Sequence, residues 1–204
     1  LQNHKPKAFL LENVKNLKSH DNGNTFKTIT ENLEELGYVV HSKVLNARDF
    51  GVPQNRARIY IVGFLNENNF QFPIPPLTPV KLGDILEESV DSRYTISDKL
   101  WDGHKKRKER HKNNGNGFGY SLFNENSPYT STISARYYKD GSEILVEQQN
   151  KNPRKLTPRE AARLQGFPES YKIVVSDAQA YKQFGNSVAV PVIKAIAECM
   201  APFL

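Results

Sequence analysis

The chain has 204 residues, 38% of them hydrophobic; it holds one domain with at most a small second unit, and its apolar content is below that of a compact domain. Its 28 Lys and Arg against 22 Asp and Glu give a net charge of +6, which favours a polyanionic partner without naming one. The single cysteine, Cys199, excludes a disulfide framework and a cysteine-rich zinc site and fits a reducing, cytoplasmic setting; no run of about 18 apolar residues marks a transmembrane helix, and Leu1 to Pro6 is no secretory signal.

In chain order, Ala8-Phe9-Leu10-Leu11 predicts a short buried strand that stops at Glu12-Asn13-Val14. Phe26, Ile29, Leu33 and Leu36 fall at helical spacing, with Asn24 or Thr25 as cap and Gly37 at the left-handed C-terminal position. Val39 to Leu45 and Ile59 to Phe64 read as strands around a turn at Gly51-Val52-Pro53, so this part is expected to belong to an α/β sheet. Residues 65–80 carry four of the 12 prolines and little periodicity, which places a domain boundary there. Short apolar pieces then mix with Gly, Asn and charge. His104 to Lys112 holds six Lys and Arg against one Glu, so the basic character is local.

From Arg154 the chain becomes regular again. Thr157-Pro158-Arg159-Glu160 is a capping box with proline at the first helical position, and Gly166 ends that helix. Asp177 is expected to cap a short helix ending near Gly185. Asn186-Ser187 precede a last helix built on Val192, Ile193, Ile196, Ala197 and Met200. The first residue is not methionine, and the expectation is a piece of a longer protein.

Several patterns point to chemistry, each beside an ordinary alternative. Glu12, at the end of an apolar strand, is placed as an acid, a hydrogen-bond partner or a metal ligand, or is a solvated strand end. On an extended segment Gln54, Arg56 and Arg58 share a face, where forked donors suit phosphate or carbonyl oxygens; a surface salt-bridge ladder is the alternative. Residues 104–112 are a solvated helix face, a mobile loop or a phosphate-tracking segment. Phe184-Gly185-Asn186-Ser187-Val188 either holds an anionic ligand group at a helix start or is a glycine stop followed by a cap. Cys199 reads as a core residue of the last helix, not a nucleophile.

Together and in order, these blocks resemble the second half of the DNA (cytosine-5)-methyltransferase family, of the bacterial restriction-modification type. Glu12-Asn13-Val14 resembles its Glu-Asn-Val motif and Gln54-Asn55-Arg56-Ala57-Arg58 its Gln-x-Arg-x-Arg motif. Residues 154–160 with 163–168 look like its ninth motif, and Gln183 to Val188 like its tenth. The family's Gly-rich cofactor loop and Pro-Cys nucleophile motif should precede Glu12, and this sequence does not contain them; Cys199, beyond the tenth motif, is no substitute.

The resemblance implies an α/β fold. Residues 1–64 would be the C-terminal part of a Rossmann-like, mixed, mostly parallel S-adenosylmethionine-dependent methyltransferase sheet. Residues 65–153 would be a small, mostly β and loop target-recognition domain, and 154–204 helices returning to the catalytic domain. It implies methyl transfer from S-adenosylmethionine to C5 of a cytosine flipped out of double-stranded DNA. A cysteine thiolate in an absent N-terminal half, or in a companion subunit, would add to C6. By the same resemblance Glu12 contacts N3 and the exocyclic amine of the base, and Arg58 holds its O2. Arg56 supports the pocket or the DNA backbone, and Asn186 and Ser187 close the cofactor pocket. Thr132-Ile133 resembles the Thr-aliphatic pair of the recognition loop. Arg136 is the candidate for reading a guanine edge, and Lys105, Lys106 and Lys108 for phosphate contact. Tyr137 and Tyr138 are strand packing or DNA contact. The complete protein is expected to be a cytoplasmic monomer off the membrane, and these residues alone inactive. The alternative is a non-catalytic DNA-binding subunit of a split methyltransferase.

Overall fold

The computed structural model describes residues 1–117 and 119–204. Strands Ala8–Val14 (β1), Val39–Asn46 (β2) and Ala57–Phe64 (β3) form one sheet in the order β1-β3-β2. β3 runs antiparallel to both neighbours, so within this chain the three-stranded sheet is antiparallel. The connection over 47–56, with only a 3₁₀ turn at Ala47–Phe50, is shorter than the dozen or so residues that a parallel crossover needs. β1 continues through Glu12-Asn13-Val14 instead of stopping there.

Alternation along the strands sends side chains to two cores. Leu45, Tyr60, Val62 and Phe64 pack on Val192, Ile196 and Met200 of the helix Val190–Met200. Phe9, Ile59 and Ile61 face the other way, onto Leu33 of helix α1, Asn24–Glu35. As the central strand β3 is covered on both faces, which explains its unbroken apolar run. Gly63 is required beneath Phe9: a Cβ there would enter the phenyl ring. Gly23, with φ of 91°, stands at the cap position given to Asn24 or Thr25, while Gly37 ends α1 in the left-handed region as expected.

Residues 65–80 form no helix or strand, as their prolines predict. Beyond them the expected mostly β region is instead led by a 16-residue helix, α2, Asp98–Asn113. Ser97 Oγ accepts from Leu100 N, Asp98 lies in the first turn, and Arg110, His111 and Lys112 lie in the last, an arrangement that suits the helix dipole. Strands β4, Leu122–Phe123, and β5, Leu145–Val146, have two residues each and cannot make a core alone. Their cover comes from α3, Pro158–Leu164, and α4, Asp177–Asn186: Leu82, Ile133, Tyr137 and Ile144 pack on Ala161, Leu164, Tyr181 and Phe184. Of the C-terminal helices, α5 (Val190–Met200) packs on the sheet, while the ends of α3 and α4 meet the first 64 residues through Gln54 and Arg56.

The capping box is present: Thr157 Oγ accepts from Glu160 N at 3.1 Å and Glu160 accepts from Thr157 N at 2.8 Å. Its glutamate also forms a buried bidentate pair with Arg154, at 2.7 and 2.8 Å. The stretch Asp177–Phe203 is apolar and long enough to cross a membrane by length and composition. It breaks at Ser187–Ala189 into helices of 10 and 11 residues, each short of the roughly 20 that a span requires.

Candidate functional site

Glu12 and Arg58 come together because β1 and β3 are in register. Glu12 lies opposite Tyr60 and Val14 opposite Arg58, so the two charged side chains meet diagonally on one face. Arg58 Nε lies 3.1 Å from Glu12 Oε1, with side chains 16% and 23% exposed. The contact is an ion pair without hydrogen-bond geometry, which leaves Oε1 buried and without a donor. Burial and the Glu12 charge push the neighbouring Tyr60 phenol up to about 12, so it stays protonated at neutral pH and is no base. In front of Arg58 opens a concavity of roughly 340 Å³, walled by Val14, Lys15, Asn16, Asn55, Ala57 and Thr132.

Gln54, Arg56 and Arg58 differ in burial: the first two are buried, and Arg58 is the one of the three that lines the concavity. Gln54 N donates to Val52 O and Arg56 N to Gln54 O, two tight turns that break the alternation before β3 begins. Gln54 and Arg56 therefore turn inward, and only Arg58 reaches the concavity. Arg56 is 4% exposed and donates to the carbonyls of Ile133, Gly185 and Ser187 at 3.3, 3.3 and 2.7 Å. Burial first, and the like charge of Arg58 second, lower its pKa to about 10, which still leaves it charged at neutral pH. It ties the segment at Thr132 and Ile133 to the end of α4.

That segment divides sharply. Thr132 Oγ1 donates to Asn55 O at 2.7 Å and faces the concavity. Ile133 is fully buried in the core beneath and cannot touch DNA, which corrects its assignment. Tyr137 is also fully buried, its hydroxyl donating to Ile144 O and accepting from Leu156 N; it packs the core from a turn, not a strand. Tyr138 is half-buried under the Lys182 ammonium, 4.9 Å from its ring. Arg136 is exposed, with its backbone N–H held by Ser134 Oγ.

On α2, Lys105 pairs with Asp102 at 2.7 Å, and Lys108 lies over the Tyr120 ring. Lys106 is exposed on the same helix. His104 is buried against Arg107, which reaches Asp140, so the helix is fastened beside the recognition turn. Asn186 is exposed at the end of α4. Ser187 donates its hydroxyl to Phe184 O and its carbonyl accepts from Arg56. Cys199 packs against the sheet core, as its helix position predicts.

Lys15, Asn16 and Asn55 are wall residues that no motif specifies; Lys15 and Asn16 follow the Glu-Asn-Val block, and Asn55 fills a variable position of the Gln-x-Arg-x-Arg block. A larger hollow of about 650 Å³ beside Trp101 and Gln148 holds none of the candidate DNA or base contacts, and Glu125 and Glu147 on its wall oppose phosphate.

Gly185 marks where α4 crosses the recognition segment: a Cβ there would overlap the backbone of Ser134 and Ala135. Gly185→Ala is expected to destabilise the fold by about 1–3 kcal/mol. Gly103→Ala in α2, where a Cβ meets nothing within 4 Å, is expected to stabilise by about 0.5–1 kcal/mol. Urea midpoints of the two variants moving in the same direction would contradict this packing.

The family model described as C-5 cytosine-specific DNA methylase matches residues 1–201. The type II methyltransferase M1.ScrFI of Lactococcus lactis subsp. cremoris is 67% identical over 205 residues, covering 98% of this chain and 53% of the relative. M.SsoII of Shigella sonnei is 66% identical, over 95% and 52%. The chain spans about half the length of these relatives. The Entamoeba histolytica methyltransferase EhMeth superimposes with a TM-score of 0.79 at 22% identity, over 98% of this chain and 64% of that one. S. pombe Dnmt2 gives 0.79 at 21%, over 98% and 66%. At such identity these two structures speak for the fold alone. With the model match running nearly end to end and two relatives above 60% identity, the chain belongs to the C-5 cytosine-specific DNA methylase family.

Proposed function

We propose that this chain is the base-holding and DNA-reading half of an S-adenosylmethionine-dependent DNA (cytosine-5)-methyltransferase of a restriction-modification system. The nucleophilic cysteine and the Gly-rich cofactor loop come from an N-terminal half of the same protein or from a companion subunit. The complete enzyme acts on duplex DNA as a cytoplasmic monomer. The observation that carries this reading is the half-buried Glu12–Arg58 pair, whose arginine lines a concavity together with Thr132.

The target atoms of a stacked cytosine are out of reach, so the base is extruded into that concavity. The edge of cytosine that carries N3 and the amine suits a carboxyl group, and its O2 suits a guanidinium. Glu12 Oε1, buried without a hydrogen-bond donor, accepts from the exocyclic amine. Arg58 stabilises negative charge that develops on O2 as a nucleophile adds at C6. S-adenosylmethionine supplies the electrophilic methyl group. Asn186, whose exposed amide offers both a donor and an acceptor, fits the polar end of that cofactor, and Ser187 sets the turn that presents it.

Affinity and sequence choice separate along the recognition region. Replacing Lys105, Lys106 and Lys108 by Gln in the complete enzyme is expected to weaken binding to every duplex alike. The log–log salt slope should flatten by roughly 0.9 for each phosphate that is no longer neutralised. Lys106→Gln alone should carry the largest share, because Lys105 and Lys108 are held by Asp102 and Tyr120. Arg136→Ala is expected to weaken cognate binding by about 1–3 kcal/mol and leave non-specific binding unchanged. Titration of cognate and scrambled duplexes at several salt concentrations tests both statements. An unchanged salt slope in the triple variant would make α2 an ordinary solvated helix. An equal loss on both duplexes for Arg136→Ala would make Arg136 a backbone contact.

A further inference from the structure

The Gln54 side chain is fully buried and uses both ends of its amide. Its Oε1 accepts from Ile133 N at 3.0 Å; its Nε2 donates to Leu164 O at 3.0 Å and to Gln165 Oε1 at 3.3 Å. Gln165 is also fully buried, and its Nε2 donates to Phe184 O at 2.6 Å. The orientation of the Gln54 amide is fixed by its partners, since a backbone N–H needs an acceptor and a carbonyl needs a donor. The two amides thereby join the turn before β3, the recognition segment, the end of α3 and the end of α4.

The element they hold is the wall of the concavity. The Ile133 N–H belongs to the peptide that follows Thr132, and the Ile133 carbonyl is taken by Arg56. Both peptide groups around Ile133 are thus clamped, while its side chain is locked in the core. Thr132 is held on one side by this clamp and on the other by Asn55 O. Apolar packing alone would tolerate sliding of this segment; a satisfied buried amide pair specifies one position. We propose that Gln54 and Gln165 are positioning residues for methyl transfer: they hold the Thr132–Ile133 peptide in register with Arg58 and set the rate of the reaction, not the affinity for DNA. This inference rests on the reading of the concavity as the cytosine site.

The test uses the complete enzyme and the variants Gln54→Leu, Gln165→Leu and their combination, with Arg58→Ala as reference. Single-turnover methyl transfer at saturating duplex and cofactor, the Kd for the cognate duplex, and the urea midpoint are measured for each. Gln54→Leu is expected to slow the single turnover by about 10²-fold, the scale of an ångström-sized misplacement. The cognate Kd should stay essentially unchanged. The double variant should be no slower than Gln54→Leu, because the two amides act as one unit. A wild-type rate in folded Gln54→Leu overturns the proposal. So does a rise in Kd and a fall in midpoint with no separate loss of rate, the signature of plain scaffolding. Should Gln54→Leu fail to fold, Gln165→Leu, which keeps the Ile133–Gln54 bond, carries the test: a slower turnover at unchanged Kd supports the proposal and a wild-type rate overturns it. If Arg58→Ala slows turnover while the glutamine variants keep the wild-type rate, this inference alone fails. If Arg58→Ala is itself without effect, the reading of the concavity fails.

Discussion

Arg58→Ala in the complete enzyme is expected to slow single-turnover methyl transfer by about 10²–10³-fold, the loss typical of removing one preorganised donor from a developing charge. Arg58 is the guanidinium of its motif that opens onto the concavity, and its Nε is already oriented by Glu12 at 3.1 Å. Cognate affinity should change little, because the charge it meets appears only as the reaction proceeds. Arg56→Ala is expected to behave differently. It leaves three buried or half-buried carbonyls without their donor, so its main effect is on stability, read as a lower urea midpoint. A near-wild-type single-turnover rate for Arg58→Ala would remove that residue from the chemistry.

The largest structural effect is expected at Glu160. Its carboxylate is fully buried, pairs twice with Arg154, and also accepts from Thr157 N and Glu87 N. Glu160→Ala strands a buried guanidinium and two backbone N–H groups, a change that costs about 3–5 kcal/mol. Removing both charges together, as Arg154→Met with Glu160→Leu, should recover part of this, since the uncompensated charge is gone. Recovery stays partial because Thr157 N and Glu87 N still lack an acceptor. Equilibrium urea unfolding of the three proteins measures it; a loss below about 1 kcal/mol in Glu160→Ala would contradict the buried pair.

The capping box at Thr157 and the glycine that ends α1 were readable in the sequence because a helix end is decided by a few adjacent residues. The Glu12–Arg58 contact was not, since it depends on how β1 registers against β3, 46 positions along the chain. The division between Thr132 and Ile133 was half-legible. Their types show which residue prefers water, but not that Gln54 and Arg56 clamp the peptides around the second. Helical periodicity gave α3 and α4 their apolar faces without naming what covers them, and the cover is Ile133, Tyr137 and Ile144, not the sheet. The antiparallel pairing of β2 with β3 was available from the shortness of 47–56, which is too short for a parallel crossover.

The most direct measurement is methyl transfer from tritiated S-adenosylmethionine to cognate duplex, made with these 204 residues alone and again with an N-terminal half that carries the Gly-rich loop and the Pro-Cys motif. No label is expected in the first case; in the second, label is expected and should be recovered as 5-methylcytosine after digestion. Label from the 204 residues alone would contradict the division of the site between two halves, and label recovered on the exocyclic nitrogen would contradict transfer to C5.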